Sequence, residues 1–313
     1  MHGTMLTGSK EFLLQAKQNK YAIPATDFVD QLSAEAYTEV SSELQLPLIL
    51  SWAESHSTYL SLDEAAMLGK FYAQKTNAPI ILHLDHGVTF ETITKSIDYG
   101  FTSVMIDAST QPFGQNIETT KNVVEYAHHK GVTVEGEIGH VGVGLSKTDE
   151  SFYTSVEEAV EFAQKTQVDS LAISIGTSHG AFKFKVKTGE LPPPLRFDIL
   201  EECEKRIPGF PIVLHGASSV PQDIVAEINK YGGKMENTVG ISEDQLRRAA
   251  KSAVCKINID SDGRLAMTAA IRKVFVEKPG EFDPRNYLGP ARDKLRELYK
   301  HKVVNVLGSA DRA

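Results

Sequence analysis

Short apolar runs recur along the chain at 21–28, 46–53, 79–85, 101–107, 132–138, 168–175, 210–215 and 254–260. They are nearly continuous rather than alternating with polar residues, which is the pattern of parallel strands covered on both faces. The segments between them carry helix signals. Ser61-Leu62-Asp63-Glu64 and Ser155-Val156-Glu157-Glu158 fit a capping box, and Ser242-Glu243-Asp244-Gln245 fits its glutamine form. Ile117, Thr120, Val124 and Ala127 recur at helical spacing, leaving Glu118, Lys121 and Glu125 outward. Eight strand–helix alternations predict an α/β fold, a closed (β/α)₈ TIM barrel, with an open doubly wound sheet as the lesser alternative. An extra helix over 10–20 is expected to cap the barrel bottom. A helical tail over 291–303 is expected to pack outside it or on a partner subunit.

Length and composition narrow this picture without changing it. A chain of 313 residues is normal for one such barrel, so 1–313 reads as a single domain. Pro192-Pro193-Pro194, the densest breaker cluster, is too short to divide two domains. Apolar residues make up 41 % and charged residues 24 %, an ordinary well-packed composition. A formal net charge of -8 argues against nucleic-acid binding, which wants a basic face, but leaves room for a small anionic substrate. The two cysteines, Cys203 and Cys255, lie far apart and predict no disulfide, pointing to a reducing, cytoplasmic setting. No apolar run reaches signal-peptide length at the start or membrane-spanning length anywhere, so neither export nor membrane insertion is expected.

In a TIM barrel the active site lies at the C-terminal ends of the strands. Here those ends gather polar residues and glycines from six runs. The third run ends His83-Leu84-Asp85-His86-Gly87, the sixth leads into Gly176-Thr177-Ser178-His179-Gly180, and the seventh into Leu214-His215-Gly216-Ala217-Ser218. His86, His179 and His215 therefore predict a three-imidazole zinc site with an open position, since neutral nitrogen ligands suit that ion. Asp107 and Glu137 are candidates either to hold a metal-binding histidine or to bind the metal themselves. His83, at the same strand parity as Asp85, reads as a support inside the barrel. His56 and His140 lie in rim loops as rival ligands at lower odds. His128 and His129 close a helix, where a cation suits the helix dipole. The glycine turns after His179 and His215 let backbone N–H groups approach a phosphate, with Ser218, Ser261 and Lys183 as further donors.

The segments HLDHG, TSVMIDAS, GTSHGAFKF, LHGASSVP, KINIDSD and FDPRNYLGPARD resemble the class II, metal-dependent fructose- and tagatose-bisphosphate aldolase family, in that family's order. The resemblance implies a TIM barrel, a zinc ion, a monovalent cation (Na⁺ or K⁺) near the phosphate, and a homodimer or homotetramer in carbohydrate metabolism. It implies His86, His179 and His215 as zinc ligands and Asp85 as the acid/base that takes the C4 hydroxyl proton. Gly180, Lys183, Gly216, Ser218 and Ser261 fall where the family binds the C1 phosphate. Asn258 falls where it orients the reacting carbons, and Asp260 and Arg264 where it meets the distal half of the sugar. Asp260 favours fructose 1,6-bisphosphate, because the tagatose branch usually carries alanine there. Zinc would polarise the ketose C2 carbonyl, and Asp85, beside His86, would reach the C4 oxygen.

The sequence departs from that family at three places. Asp27 stands where asparagine is usual, Ala53 where serine is common, and 140–150 lacks the usual glycine-rich loop whose glutamate moves the C3 proton. Asp149, Glu150 or His140 is then a candidate replacement proton carrier, the acidic pair reading equally well as a solvated loop, and tagatose 1,6-bisphosphate or another ketose 1-phosphate is the alternative substrate. Three rival activities remain at this point. Lys256 would serve a Schiff-base aldolase, the histidines and an aspartate would serve a zinc hydrolase, and the altered loop would suit a non-catalytic metal- or metabolite-binding relative.

Overall fold

The computed structural model describes residues 5–139, 141, 143–145, 152–184 and 193–313. Its strands are β1 (Ile23–Asp27), β2 (Leu48–Ala53), β3 (Ile80–Gly87), β4 (Ser103–Ile106), β5 (Thr133–Ile138), β6 (Val143–Leu145), β7 (Ser170–Ile173), β8 (His179–Phe184), β9 (Ile212–Leu214) and β10 (Val254–Ile259). Eight of them close a barrel in the order β1-β10-β9-β7-β5-β4-β3-β2, every adjacent pair parallel. Each falls within or overlaps one of the eight apolar runs, and closure removes the open-sheet alternative. β6 and β8 form a separate two-stranded parallel sheet.

The continuous apolar runs are buried along their whole length on β1, β2 and β10. Outward residues such as Leu48, Leu50 and Leu82 meet the helix layer, each worth about 1.5–3 kcal/mol when fully buried. The helix Phe113–His129 turns Ile117, Thr120, Val124 and Ala127 inward and exposes Glu118, Lys121 and Glu125, as its spacing predicts. The Ser61 capping box forms with Glu64, and Ser155 and Ser242 accept from the backbone N–H three residues on. His128 binds Asp169 at 2.7 Å rather than acting in any site.

Helix Lys10–Asn19 closes the bottom as expected, its Leu13 and Ala16 packing on Ile23, Ala25, Ile49, Ile81 and Cys255. The C-terminal tail is longer than its sequence signal. It starts at Pro284, with Asp283 capping Arg285 N–H, runs to His301, and continues as a π-helical turn, Lys302–Leu307. Both cysteines are buried and unpaired with each other. Among the described residues no helix is long and apolar enough to cross a membrane.

Candidate metal and active site

Neighbouring residues on a strand point to opposite faces, so Asp85 and His86 should not share a cavity. The backbone of β3 resolves the conflict. Its pairing with β4 advances from Leu84↔Val104 to Gly87↔Ile106, three residues against two, which is a β-bulge. His86 takes the left-handed conformation there, φ 47°, uncommon for a residue with a side chain. Both side chains consequently line one cavity of about 430 Å³ at the C-terminal mouth of the barrel.

The rings of His86 and His215 lie 4.6 Å apart, those of His86 and His179 5.0 Å, and those of His179 and His215 6.3 Å. His179 does not end a barrel strand, as the sequence pattern predicts; β7 stops at Ile173 and His179 opens β8. Each of the other two rings is held from behind. Asp107 Oδ2 is 2.8 Å from His86 Nδ1, and Asp107 is itself bound by the Ser109 hydroxyl at 2.7 Å. Glu135 Oε1 is 2.6 Å from His215 Nε2. The opposite nitrogens, His86 Nε2 and His215 Nδ1, are buried without hydrogen-bond partners. A ligand atom from each of Asp85, His86 and His215 lies within 4.8 Å of the others. Two partnerless imidazole nitrogens beside a carboxylate fit a divalent cation, and the His179 ring lies next to that group without a nitrogen inside it.

The carboxylates around the imidazoles make this a site that favours positive charge, a proton or a cation competing for His86 Nε2. Burial opposes a charge on His86, but the carboxylates of Asp85 and Asp107 around it lift its pKa to about 10. Burial likewise works against ionising Asp85, yet His86, His215 and Lys256 hold it down to about 2, so it stays a carboxylate. Glu137 lies in reach of His86 and Asp107, and burial followed by the Asp107 charge raises it to about 8.

The phosphate candidates Gly180, Gly216, Ser218 and Ser261 line the same cavity. Gly216 has φ 60°, and a Cβ there would stand 2.6 Å from the Ser178 backbone, so only glycine fits. Ser261 opens the helix Ser261–Glu277, whose first N–H groups suit an anion. Lys183 belongs to β8, but its side chain lies outside the described residues, as do His140, Asp149 and Glu150. Asn258 Nδ2 donates to Asp85 Oδ1 at 3.1 Å. Asp260 binds Arg264 Nε at 2.8 Å, and Arg264 reaches His56 Nε2 at 2.7 Å. His56, the rival ligand, lines the same cavity, and a ligand atom from each of Asp27, His56 and Asp260 lies within 4.8 Å of the others. Asp27 is buried there with Oδ1 unpartnered; burial first, then Asp85 and Asp260, raises its pKa well above normal. Ala53 sits beside Asp85 in the β2–β3 register.

Glu135 carries no local signal of a role in the site. Its parity with Glu137 on β5 marks an inward carboxylate, but nothing local ties it to His215, 80 residues away. Lys256, the Schiff-base candidate, is buried 2.7 Å from Glu135 and does not line the cavity.

The family described as Fructose-bisphosphate aldolase class-II matches residues 7–312. The chain belongs to that family. Its relatives include the fructose-bisphosphate aldolase of Treponema pallidum, 51 % identical over 98 % of both chains. That of Giardia intestinalis is 42 % identical, covering 97 % of this chain and 93 % of its own. Among solved structures, the YdjI aldolase of Escherichia coli K12 superposes with a TM-score of 0.79 at 26 % identity, over 98 % of this chain and 99 % of that one. Membership makes the protein an aldolase, a carbon–carbon lyase that depends on a divalent metal and acts on a phosphorylated sugar.

Proposed function

We propose that the enzyme reversibly cleaves fructose 1,6-bisphosphate to dihydroxyacetone phosphate and glyceraldehyde 3-phosphate, with zinc held by His86, His179 and His215. The reading is carried by the two buried, unpartnered imidazole nitrogens that converge beside Asp85. When bound, zinc supplies Lewis-acid stabilisation of negative charge on the ketose oxygens. Asp107 orients the His86 ring, and Glu137 lies close enough to serve as an alternative ligand.

Asp85 takes the C4 hydroxyl proton as the C3–C4 bond breaks. Its carboxylate is ionised, and the Asn258 amide fixes its rotation. Gly180 and Gly216 bring backbone N–H groups to the C1 phosphate, joined by Ser218, Ser261 and Lys183. A monovalent cation, Na⁺ or K⁺, sits near that phosphate. Asp260 and Arg264 meet the distal half of the sugar. We further propose a homodimer or homotetramer working in the cytoplasm.

A second reading, cleavage of another ketose 1-phosphate, is favoured by the distal end itself. Asp27 and Asp260 face it with Arg264, and Arg264 is already paired to Asp260. The test is dihydroxyacetone phosphate release by the zinc-loaded enzyme from fructose 1,6-bisphosphate, tagatose 1,6-bisphosphate and fructose 1-phosphate. The highest kcat/KM is expected for fructose 1,6-bisphosphate. A higher value for the monophosphate establishes the second reading, and no release from any of the three refutes both.

A further inference from the structure

A polar layer crosses the barrel interior and meets the substrate cavity only at His215. His83 comes from β3, Ser103 from β4, Glu135 from β5, Ser170 from β7 and Lys256 from β10, and the layer ends on His215 just after β9. Lys256 Nζ lies 2.7 Å from Glu135 Oε2 and 3.3 Å from His83 Nε2. His83 Nδ1 is 2.8 Å from the Ser103 hydroxyl, and the Ser170 hydroxyl donates to Glu135 Oε2 at 3.4 Å. His83, Glu135, Lys256 and His215 are almost fully buried.

Donor and acceptor chemistry fixes the tautomers of both imidazoles in this layer. An ammonium only donates, so His83 Nε2 accepts and its Nδ1 carries the hydrogen toward Ser103. A carboxylate paired with that ammonium only accepts, so His215 Nε2, 2.6 Å from Glu135, carries its hydrogen. The lone pair of His215 is left on Nδ1, the atom that faces the cavity without a hydrogen-bond partner.

Barrel interiors are normally filled by branched aliphatic side chains. A buried ion pair is seldom more stable than apolar residues of similar volume, so stability alone does not explain this layer. Building on the metal site proposed above, we infer that Glu135 is a positioning residue. Pinned by Lys256, it fixes the tautomer and rotation of His215 so that Nδ1 is the nitrogen presented to the metal. Lys256 then works through Glu135 and not as a covalent nucleophile.

The direct test is a long-range ¹H–¹⁵N spectrum of the full-length protein labelled with ¹⁵N-histidine, with and without zinc. His215 is expected to show a metal-bound Nδ1 and a protonated Nε2. Zinc on Nε2 overturns the inference while leaving the metal site standing; no zinc-dependent change at His215 overturns the metal site as well. The companion variant replaces the pair by apolar residues, Glu135→Leu with Lys256→Met. Zinc affinity, read by competition with a chromophoric chelator, is expected to fall about 10–100-fold, with a lower thermal midpoint because His83, Ser170 and His215 each lose a buried partner. A folded double variant whose zinc affinity stays within about twofold of the parent overturns the inference, because a lost orienting partner should cost more. If that variant does not fold, the spectrum of the parent still decides.

Discussion

In the proposed mechanism Asp85 and His86 divide the chemistry between two adjacent residues, one moving a proton and one holding metal. Because the roles are separable, so are their losses. Asp85→Ala should retain zinc and lose about 10²–10⁴-fold in cleavage rate, the usual worth of a positioned acid/base. Metal analysis and initial rates on one preparation check this; an Asp85→Ala enzyme of full activity would remove Asp85 from the mechanism. His179→Ala should lose both zinc and activity, and a variant that kept stoichiometric zinc would take His179 out of the ligand set. At this scale the sequence was informative where side-chain chemistry is unusual, as in three histidines that follow apolar runs into one cavity. It was silent on which nitrogen of each ring is free. That depends on Asp107 and Glu135, carboxylates brought to His86 and His215 by barrel closure across 21 and 80 residues.

The elements aim these residues. An unbroken β3 would have turned either Asp85 or His86 out of the cavity, and the bulge with His86 at φ 47° admits both. No apolar pattern announces that bulge, since it changes the backbone without changing the residues. The same holds for β8. The sixth apolar run predicts a strand into His179, whereas His179 pairs through the backbone with Val143 in the small β6–β8 sheet. The turn after β9 is more legible, because a glycine following a candidate ligand suggests close approach. Gly216→Ala should cost at least about 1–2 kcal/mol in denaturant unfolding, from the left-handed backbone alone. It should also raise KM, since Ser178 must move. Unchanged unfolding and unchanged KM would show that the turn tolerates a side chain.

For the molecule as a whole, the eight apolar runs pointed to a parallel sheet covered on both faces, while its closure into a barrel rather than an open sheet is seen only in the strand pairing. The C-terminal tail was harder to read, for its polar residues do specific work. Lys302 is fully buried and binds Ser219, Glu243 at 2.7 Å and Asp262 at 3.1 Å, while Asp262 receives the N–H groups of Ser219 and Val220. The tail therefore braces the loop that follows His215. Lys302→Met leaves the Asp262 carboxylate buried without its cation and should destabilise the fold by about 3–5 kcal/mol, measured by chemical denaturation. A loss below about 1 kcal/mol, the range of an exposed pair, would mean that the brace is not structural.

Bond cleavage is proposed to run on a metal at His86, His179 and His215. That proposal is tested most directly by following dihydroxyacetone phosphate release from fructose 1,6-bisphosphate through one cycle of chelation and zinc re-addition, with borohydride present in a parallel sample. Activity should vanish on chelation, return with zinc and be untouched by borohydride. Cleavage that survives chelation, or that borohydride abolishes by trapping substrate on Lys256, would contradict the account.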